Sequence, residues 1–197
     1  MHDLIAKVHR SAEESAATQR AFFDRNAEGL AQCARVLAAA FDAGARLFTF
    51  GNGGSACDAQ HAAVEFSHPI FEKRRAIPAF ALPNDVARLT AIGNDRDYAT
   101  VFADALRVFA ARGDVALALS TSGQSASVIR GLVAAREMGM ITVGLAGRDG
   151  GRMANVCDHA FVVESFSIHR IQEVHQTLVH VLWDLVHVAR GEEDSFA

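Results

Sequence analysis

The sequence predicts an α/β fold: a three-layer, doubly wound, mainly parallel five-stranded sheet with a helical N-terminal extension and a long C-terminal helix. Three observations predict it. After Gly44, short β-rich runs alternate with longer helical ones, while the first 43 residues read as helix throughout. Only three of the 197 residues are proline, and no linker-like tract divides the chain. Alternation of this kind favours a parallel sheet covered on both faces, wound by right-handed crossovers. The length suits one domain, residues 1–197, with helices over 1–43 and the α/β core and last helix over 44–197.

The elements follow in order. Leu4, Ile5 and Val8, then Phe22 and Phe23, mark a first helix, separated by a polar Ser/Glu stretch from a second. In the second, Leu30, Cys33, Ala34, Val36, Leu37, Ala40 and Phe41 recur at three- and four-residue spacing, and Gly44 is placed to stop it. Candidate strands are Arg46–Phe50, Ala79–Leu82, Val115–Leu119, Ile141–Leu145 and Ala160–Val163. Candidate helices between them are Ser55–Phe66, Asp85–Ile92, Tyr98–Ala111 and Ser125–Met138. The final helix, Ile168 to Arg190, carries Ile171, Leu178, Leu182, Leu185 and Ala189 along one stripe, and Gly191-Glu192-Glu193-Asp194 ends it in charge.

Composition excludes several classes of function. Half of the residues are hydrophobic and 21% charged, which argues against extensive disorder. A formal net charge of -4 makes non-specific nucleic-acid binding a poor reading. Cys33, Cys57 and Cys157 are scattered and form no C-x-x-C pair, so neither a disulfide framework nor a thiolate zinc site is indicated. Free thiols suit a reducing compartment. The N-terminal segment mixes charges into its apolar residues, unlike a signal peptide, and no stretch approaches the ~20 apolar residues that span a bilayer. A cytoplasmic location without membrane contact is the expectation.

In open parallel sheets, ligands bind beyond the carboxyl ends of strands. Two such places have unusual composition. Phe50-Gly51-Asn52-Gly53-Gly54-Ser55 follows a predicted strand and opens a helix; glycines let backbone N–H groups approach an anion, and the helix N-terminus adds partial positive charge. It matches neither the dinucleotide fingerprint nor a Walker loop. Its plainer reading is a tight turn with Ser55 as N-cap, aided by Asp58. The second, Ser120-Thr121-Ser122-Gly123-Gln124-Ser125, has four hydroxyl residues in six positions, more than a cap requires. Hydroxyls and amides hold a phosphate without lysine. Two such loops at strand ends of one sheet point to a shared anionic ligand.

His61 and Glu65 lie four apart, on one face of the helix that opens at Ser55. This pair suits a shared divalent metal or proton transfer, against a plain surface ion pair as the alternative. Among nine histidines, His175 and His187 are expected at the surface or an interface, and composition selects none of the others.

Gly51-Asn-Gly-Gly-Ser55, His61-x-x-x-Glu65, Gly93-Asn94-Asp95, Ser120-Thr-Ser-Gly-x-Ser125 and Arg170-Ile-Gln-Glu-x-His175-x-x-x-x-His180 together resemble the phosphoheptose isomerases, which are sugar isomerase (SIS) domain proteins. The resemblance runs essentially end to end and includes the Gly-x-Asp-Gly-Gly segment at Gly147–Gly151. The serine loop marks SIS domains generally; its combination with His61, Glu65, Gln172 and His180 is more specific.

The resemblance implies an aldose–ketose isomerase that interconverts D-sedoheptulose 7-phosphate and D-glycero-D-manno-heptose 7-phosphate through an enediol. This is a step toward bacterial heptose precursors, including those of lipopolysaccharide. It places Asn52, Gly53, Gly54, Ser55, Asn94, Asp95, Ser120, Thr121, Ser122, Ser125, Glu65 and Gln172 around the substrate. It makes Glu65 and His180 the acid/base pair, and His61, Glu65, Gln172 and His180 the ligands of one zinc. It further implies a homotetramer with active sites between subunits.

Geometry adds a constraint. Gln172 and His180 are eight residues apart, ~12 Å of rise on a continuous helix. Either that helix begins late or the ligands come from different subunits, with the N-terminal helices as the interface. His169 stands where some relatives are acidic, and Phe66–Arg75 is idiosyncratic. The rival readings are a non-catalytic SIS-domain binding protein of the replication-initiator-associating type, which lacks the acid/base residues, and an isomerase of another ketose phosphate.

Overall fold

A computed structural model describes residues 2–71 and 73–194; Met1, Glu72 and residues 195–197 of the expected domain lie outside them. The chain runs α1 (His2–Asp42), β1 (Leu47–Gly51), α2 (Gly54–Ser67), β2 (Ala79–Ala81), α3 (Val86–Asp95), α4 (Val101–Phe109), β3 (Val115–Ser120), α5 (Ala126–Glu137), β4 (Ile141–Gly147), β5 (His159–Val163) and α6 (Ile168–Ala189). Three short 3-10 turns, Leu82–Asn84, Tyr98–Thr100 and Met153–Asn155, lie between them. The five strands form one sheet in the order β2-β1-β3-β4-β5, and every pairing is parallel.

Strand alternation explains the layers. Leu47, Leu117, Leu119, Val143, Leu145, Phe161 and Val163 face α1, α2 and α6 in one buried cluster with Leu37, Phe66, Val174 and Leu178. Phe48, Phe50, Ala116, Ala118 and Ala146 face the other way, against Phe102, Leu106, Val128 and Leu132 of α4 and α5. Successive side chains on a strand point to opposite faces, so runs apolar at every position are buried on both. Each fully buried Leu or Phe contributes roughly 1.5–3 kcal/mol.

The N-terminal extension differs from the two helices expected. It is a single helix of 41 residues. The Ser/Glu stretch between the apolar groups contains no Gly or Pro to break it, and its polar groups find partners on α6: Ser15 Oγ donates to Glu173 at 2.7 Å, and the Arg170 guanidinium donates to the Ser11 carbonyl. Gly44 does stop the helix. It takes φ +90°, with Ala45 N–H bonded to Ala40 O and Gly44 N–H to Phe41 O, each at 3.0 Å. This is a Schellman arrangement, which glycine enters without steric penalty. The expected helix Tyr98–Ala111 likewise begins as a 3-10 turn, with α4 ending at Phe109.

Two histidines expected at the surface or an interface are core residues. His175 and His187 are both 0% exposed, on the inward face of α6. His175 Nε2 donates to the Ala146 carbonyl on β4 at 3.2 Å, and burial pushes its pKa down to about 4. His187 Nδ1 lies 2.8 Å from Glu192; burial pushes its pKa down, against the upward pull of that carboxylate.

A folded-state value below the unfolded ~6.5 means that protons bind the unfolded chain first as pH falls. The stability His175 contributes is therefore complete above ~6.5 and lost progressively toward pH 4. We expect the unfolding free energy to drop by about 2 kcal/mol from this group between pH 7 and pH 5, with His187 acting in the same direction. Urea titrations at both pH values check this: His175→Gln should show a smaller drop than the parent, and an equal drop would refute the assignment.

Candidate active site

The strand order turns back between β1 and β3: from β1 the chain goes to β2 on one side and then to β3 on the other. Loops leaving the carboxyl ends of two such strands diverge and open a crevice. Gly51 and Leu119 are register partners, so the loop 51–54 and the loop 120–125 leave the sheet side by side. Their approach is close enough to require glycine. A Cβ on Gly51 would lie 2.6 Å from Ser55 O and 2.8 Å from Leu119 O, both backbone atoms that cannot move aside.

Within this crevice Ser55 and Ser120 are buried, and Thr121, Ser122 and Ser125 are half-buried. Ser120 Oγ and Ser122 Oγ are 3.5 Å apart, and Ser122 Oγ accepts from Gln124 N–H at 3.2 Å. Ser55 is not the cap expected of it. The α2 N-cap is Gly53, at φ 56°, with no side-chain cap bond. Ser125 caps α5 by position but not by its hydroxyl; that hydroxyl accepts instead from Asn52 Nδ2 at 2.7 Å. No side-chain cap bond consumes the first backbone N–H groups of these two helices, which leaves them available to an anion beyond the strand ends. Asn94 and Asp95 are exposed at the end of α3, hydrogen-bonded to each other at 2.8 Å.

The titratable groups lie further along α2. His61 Nε2 is 2.7 Å from His180 Nε2 of α6 and 3.8 Å from Glu65 Oε1. One ligand atom from each of the three falls within 4.8 Å of the others. Glu65 and His61 are half-buried and His180 exposed. This settles how α2 and α6 meet, because three rungs link them in parallel. Gln172 Nε2 lies where a Gly54 side chain would be, 2.1 Å from an ideal Cβ; Gln176 Nε2 donates to Asp58 Oδ1 at 3.1 Å; His180 meets His61. Asp58 is 3% exposed, and its Oδ2 has no partner among the described residues. Burial raises its pKa, against the lowering effects of the Gln176 hydrogen bond and nearby His61.

Two imidazoles and a carboxylate are a zinc-type donor set. Two nitrogens sharing a tetrahedral ion at about 2.0–2.1 Å would sit roughly 3.3 Å apart, so the donors fit once the direct His61–His180 hydrogen bond opens by about half an ångström. Within one copy, Gln172 is not part of this group, which leaves a ligand from a second copy as the form in which it would join. The helix carrying it is continuous from Ile168, and Gln172 lies over Gly54, two turns of α2 before His61.

Sequence reasoning missed three residues here. Tyr98 hydroxyl donates to Asn52 Oδ1 at 2.9 Å, and Ser127 Oγ accepts from Asn52 Nδ2 at 2.8 Å. Asp58 is the middle rung of the seam rather than a helper at a cap. Nothing in local spacing signals any of them, since each partner lies 46 or more residues away. A groove of about 580 Å³ lined by Phe48, Phe80, Leu82 and Phe109 lies toward the other end of β1 and contains none of this chemistry.

Comparison with known proteins agrees with these features. The profile of the SIS domain family matches residues 12–147. The phosphoheptose isomerase of Aquifex aeolicus is 42% identical over 183 residues, 93% of this chain and 96% of its own. Structures of phosphoheptose isomerases from Neisseria gonorrhoeae and Francisella tularensis superpose with TM-scores of 0.87 and 0.89, at 35% and 28% identity, each covering 93% of this chain and 98% of theirs. With this identity and superposition across nearly its whole length, the chain belongs to the phosphoheptose isomerase family of SIS-domain proteins.

Proposed function

We propose that the chain interconverts D-sedoheptulose 7-phosphate and D-glycero-D-manno-heptose 7-phosphate, supplying the aldose for heptose-containing glycoconjugates. The observation that carries this is the convergence of Glu65, His61 and His180 on one point, from helices whose neighbouring loops form an anion crevice.

Conversion of the ketose to the aldose moves a proton from C1 to C2 and another from O1 to O2. Glu65, as carboxylate, takes the C1 proton and returns it to C2 of the enediol. His180 gives a proton to O2 as the carbonyl is lost and receives one from O1 as the new carbonyl forms. The 2.7 Å contact with His61 lets the two rings share a single proton, so one nitrogen donates while the other accepts. Ser55, Ser120, Thr121, Ser122 and Ser125, with the N–H groups of Gly53 and Gly54, hold the phosphate; Asn94, Asp95 and Gln172 border the sugar. Zinc held by His61, Glu65 and His180 would take the place of the proton the two rings share and supply Lewis-acid stabilisation of the enediolate oxygen.

The crevice and the acid/base pair are far apart within one copy. Ser55 and Glu65 are separated by ten residues of α2, roughly 15 Å of rise, and the Asp58–Gln176 rung lies between. We therefore infer that each site joins the crevice and Gln172 of one copy to the His61, Glu65 and His180 of another. The homotetramer is the assembly proposed, with residues 1–43 in its interface, where Leu4, Ile5 and Val8 stand exposed. Free thiols and a sugar-phosphate substrate support a cytoplasmic location; among the described residues no helix is long and apolar enough to cross a membrane.

Glu65→Gln should lower kcat at least about a hundredfold with KM little changed; undiminished turnover would remove Glu65 from the mechanism. Ser120→Ala with Ser122→Ala should raise KM for sedoheptulose 7-phosphate roughly tenfold or more, and an unchanged KM would remove the loop from phosphate binding. Unfolding and refolding the two variants together should restore activity at low substrate, because some mixed sites then combine an intact crevice with an intact Glu65. No restoration would mean that each copy works alone.

A further inference from the structure

We propose that Tyr98 is a positioning residue of the phosphate cradle: acting through Asn52, its hydroxyl turns the hydroxyl proton of Ser125 outward toward the bound phosphate. The proposal rests on the assignment of the cradle to a phosphorylated substrate, and adds to it a residue outside the two loops.

A side-chain amide has one oxygen that accepts and one nitrogen that donates two protons. In Asn52 all of these are engaged. Tyr98 O–H donates to Oδ1 at 2.9 Å, and Nδ2 donates to Ser125 Oγ at 2.7 Å and to Ser127 Oγ at 2.8 Å. The Asn52 side chain is therefore a strut between three segments, with no N–H left for a phosphate.

The direction of these bonds fixes the protons beyond them. Each seryl oxygen receives an N–H, so each keeps its own proton to give elsewhere. Ser127 is 3% exposed, and its remaining hydroxyl neighbour is Ser125 Oγ at 3.3 Å. Ser127 therefore donates to Ser125. With two donors already at its oxygen, Ser125 turns its proton to the crevice, where a phosphate oxygen accepts it.

Reversing the Asn52 amide reverses this order. Its oxygen would then collect both seryl protons, and Ser125 would present lone pairs to a dianion. What opposes the reversal is the phenol, whose oxygen donates better than it accepts because the ring withdraws its lone pairs. Remove the hydroxyl, and the outward Asn52 Oδ1 loses its donor while the reversed amide gains two. Tyr98 is held in place for this role. Asp97 accepts from Ala99 N–H at 2.8 Å and pairs with Arg130 of α5 at 3.0 Å. The Tyr98 ring lies beside Gly93, with Cδ2 3.5 Å from where a Cβ would stand. At 51% exposure the ring sits at the crevice mouth.

Tyr98→Phe keeps the ring and removes only the hydroxyl, and Tyr98→Ala removes both. Calorimetric titration with inorganic phosphate reads the cradle without turnover, and kinetics with sedoheptulose 7-phosphate read the reaction. For Tyr98→Phe we expect the Kd for phosphate and the KM to rise together about tenfold, with kcat within twofold and the melting temperature unchanged. If Tyr98→Phe matches the parent and only Tyr98→Ala weakens phosphate, the ring merely packs and the proposal is overturned. It is overturned also if kcat falls while phosphate affinity holds. A parent that binds phosphate yet does not isomerise the heptulose would remove the proposed substrate but leave this test intact; a parent that binds no phosphate removes both.

Discussion

The seam between α2 and α6 is the constraint on which the rest of the site depends. Two helices that leave one face of a parallel sheet run side by side, and here they close to within a side chain's width. Gly54 makes room for Gln172, Asp58 takes the amide of Gln176, and His61 reaches His180. Beyond the last rung, Arg74 holds Asp184 at 2.5 Å and stacks over Trp183 at 4.4 Å, which fastens the segment after α2 to the same helix. Slippage of either helix by one residue would turn its side chain about 100° from its partner. The buried Asp58 carboxyl group, with one oxygen unpaired among the described residues, is a polar group that packing alone does not explain; it stands where register between the helices is set.

Sheet order supplies the second half of the arrangement. Because β1 lies between β2 and β3, its loop and the β3 loop rise together, and hydroxyls from both face one hollow. A parallel sheet points every strand's carboxyl end the same way, so the two helix starts beside that hollow add their N–H groups in concert. The proposed phosphate site is thus lined by neutral donors, while the proposed proton-transferring groups sit some turns away on the helix flanks. In the function proposed, that separation makes contact between copies part of the chemistry.

Much of this was legible in the residues because it depends on local pattern. Alternating β-rich and helical runs mark the five strands to within a residue or two, and glycine at 44 ends a helix wherever it occurs in such a setting. His61 and Glu65 share a face by spacing alone. What was not legible depends on distant partners. The polar stretch between Val8 and Phe22 looks like a break until α6 is there, with Glu173 to accept from Ser15 and Arg170 to donate to the Ser11 carbonyl. His175 looks like a surface residue until β4 offers it a carbonyl in the core. Ser55 looks like a cap, yet Gly53 turns the chain with a left-handed φ and leaves the hydroxyl to the crevice. Tyr98, the one tyrosine in the chain, has no meaning by itself; its meaning arises when Asn52 comes within reach of its hydroxyl.

The long first helix carries a consequence of its own. At 41 residues it measures roughly 60 Å, well beyond the girth of a body this size, and its first buried side chain is Phe22. Ser11 and Ser15 still bond to α6, but the exposed turns before Ser11 have only their own backbone bonds to hold them, and so short a bare helix frays in water. An isolated copy would tumble as a globe trailing a loosened rod, and any neighbour settling on Leu4, Ile5 and Val8 would wind the rod as well as cover it.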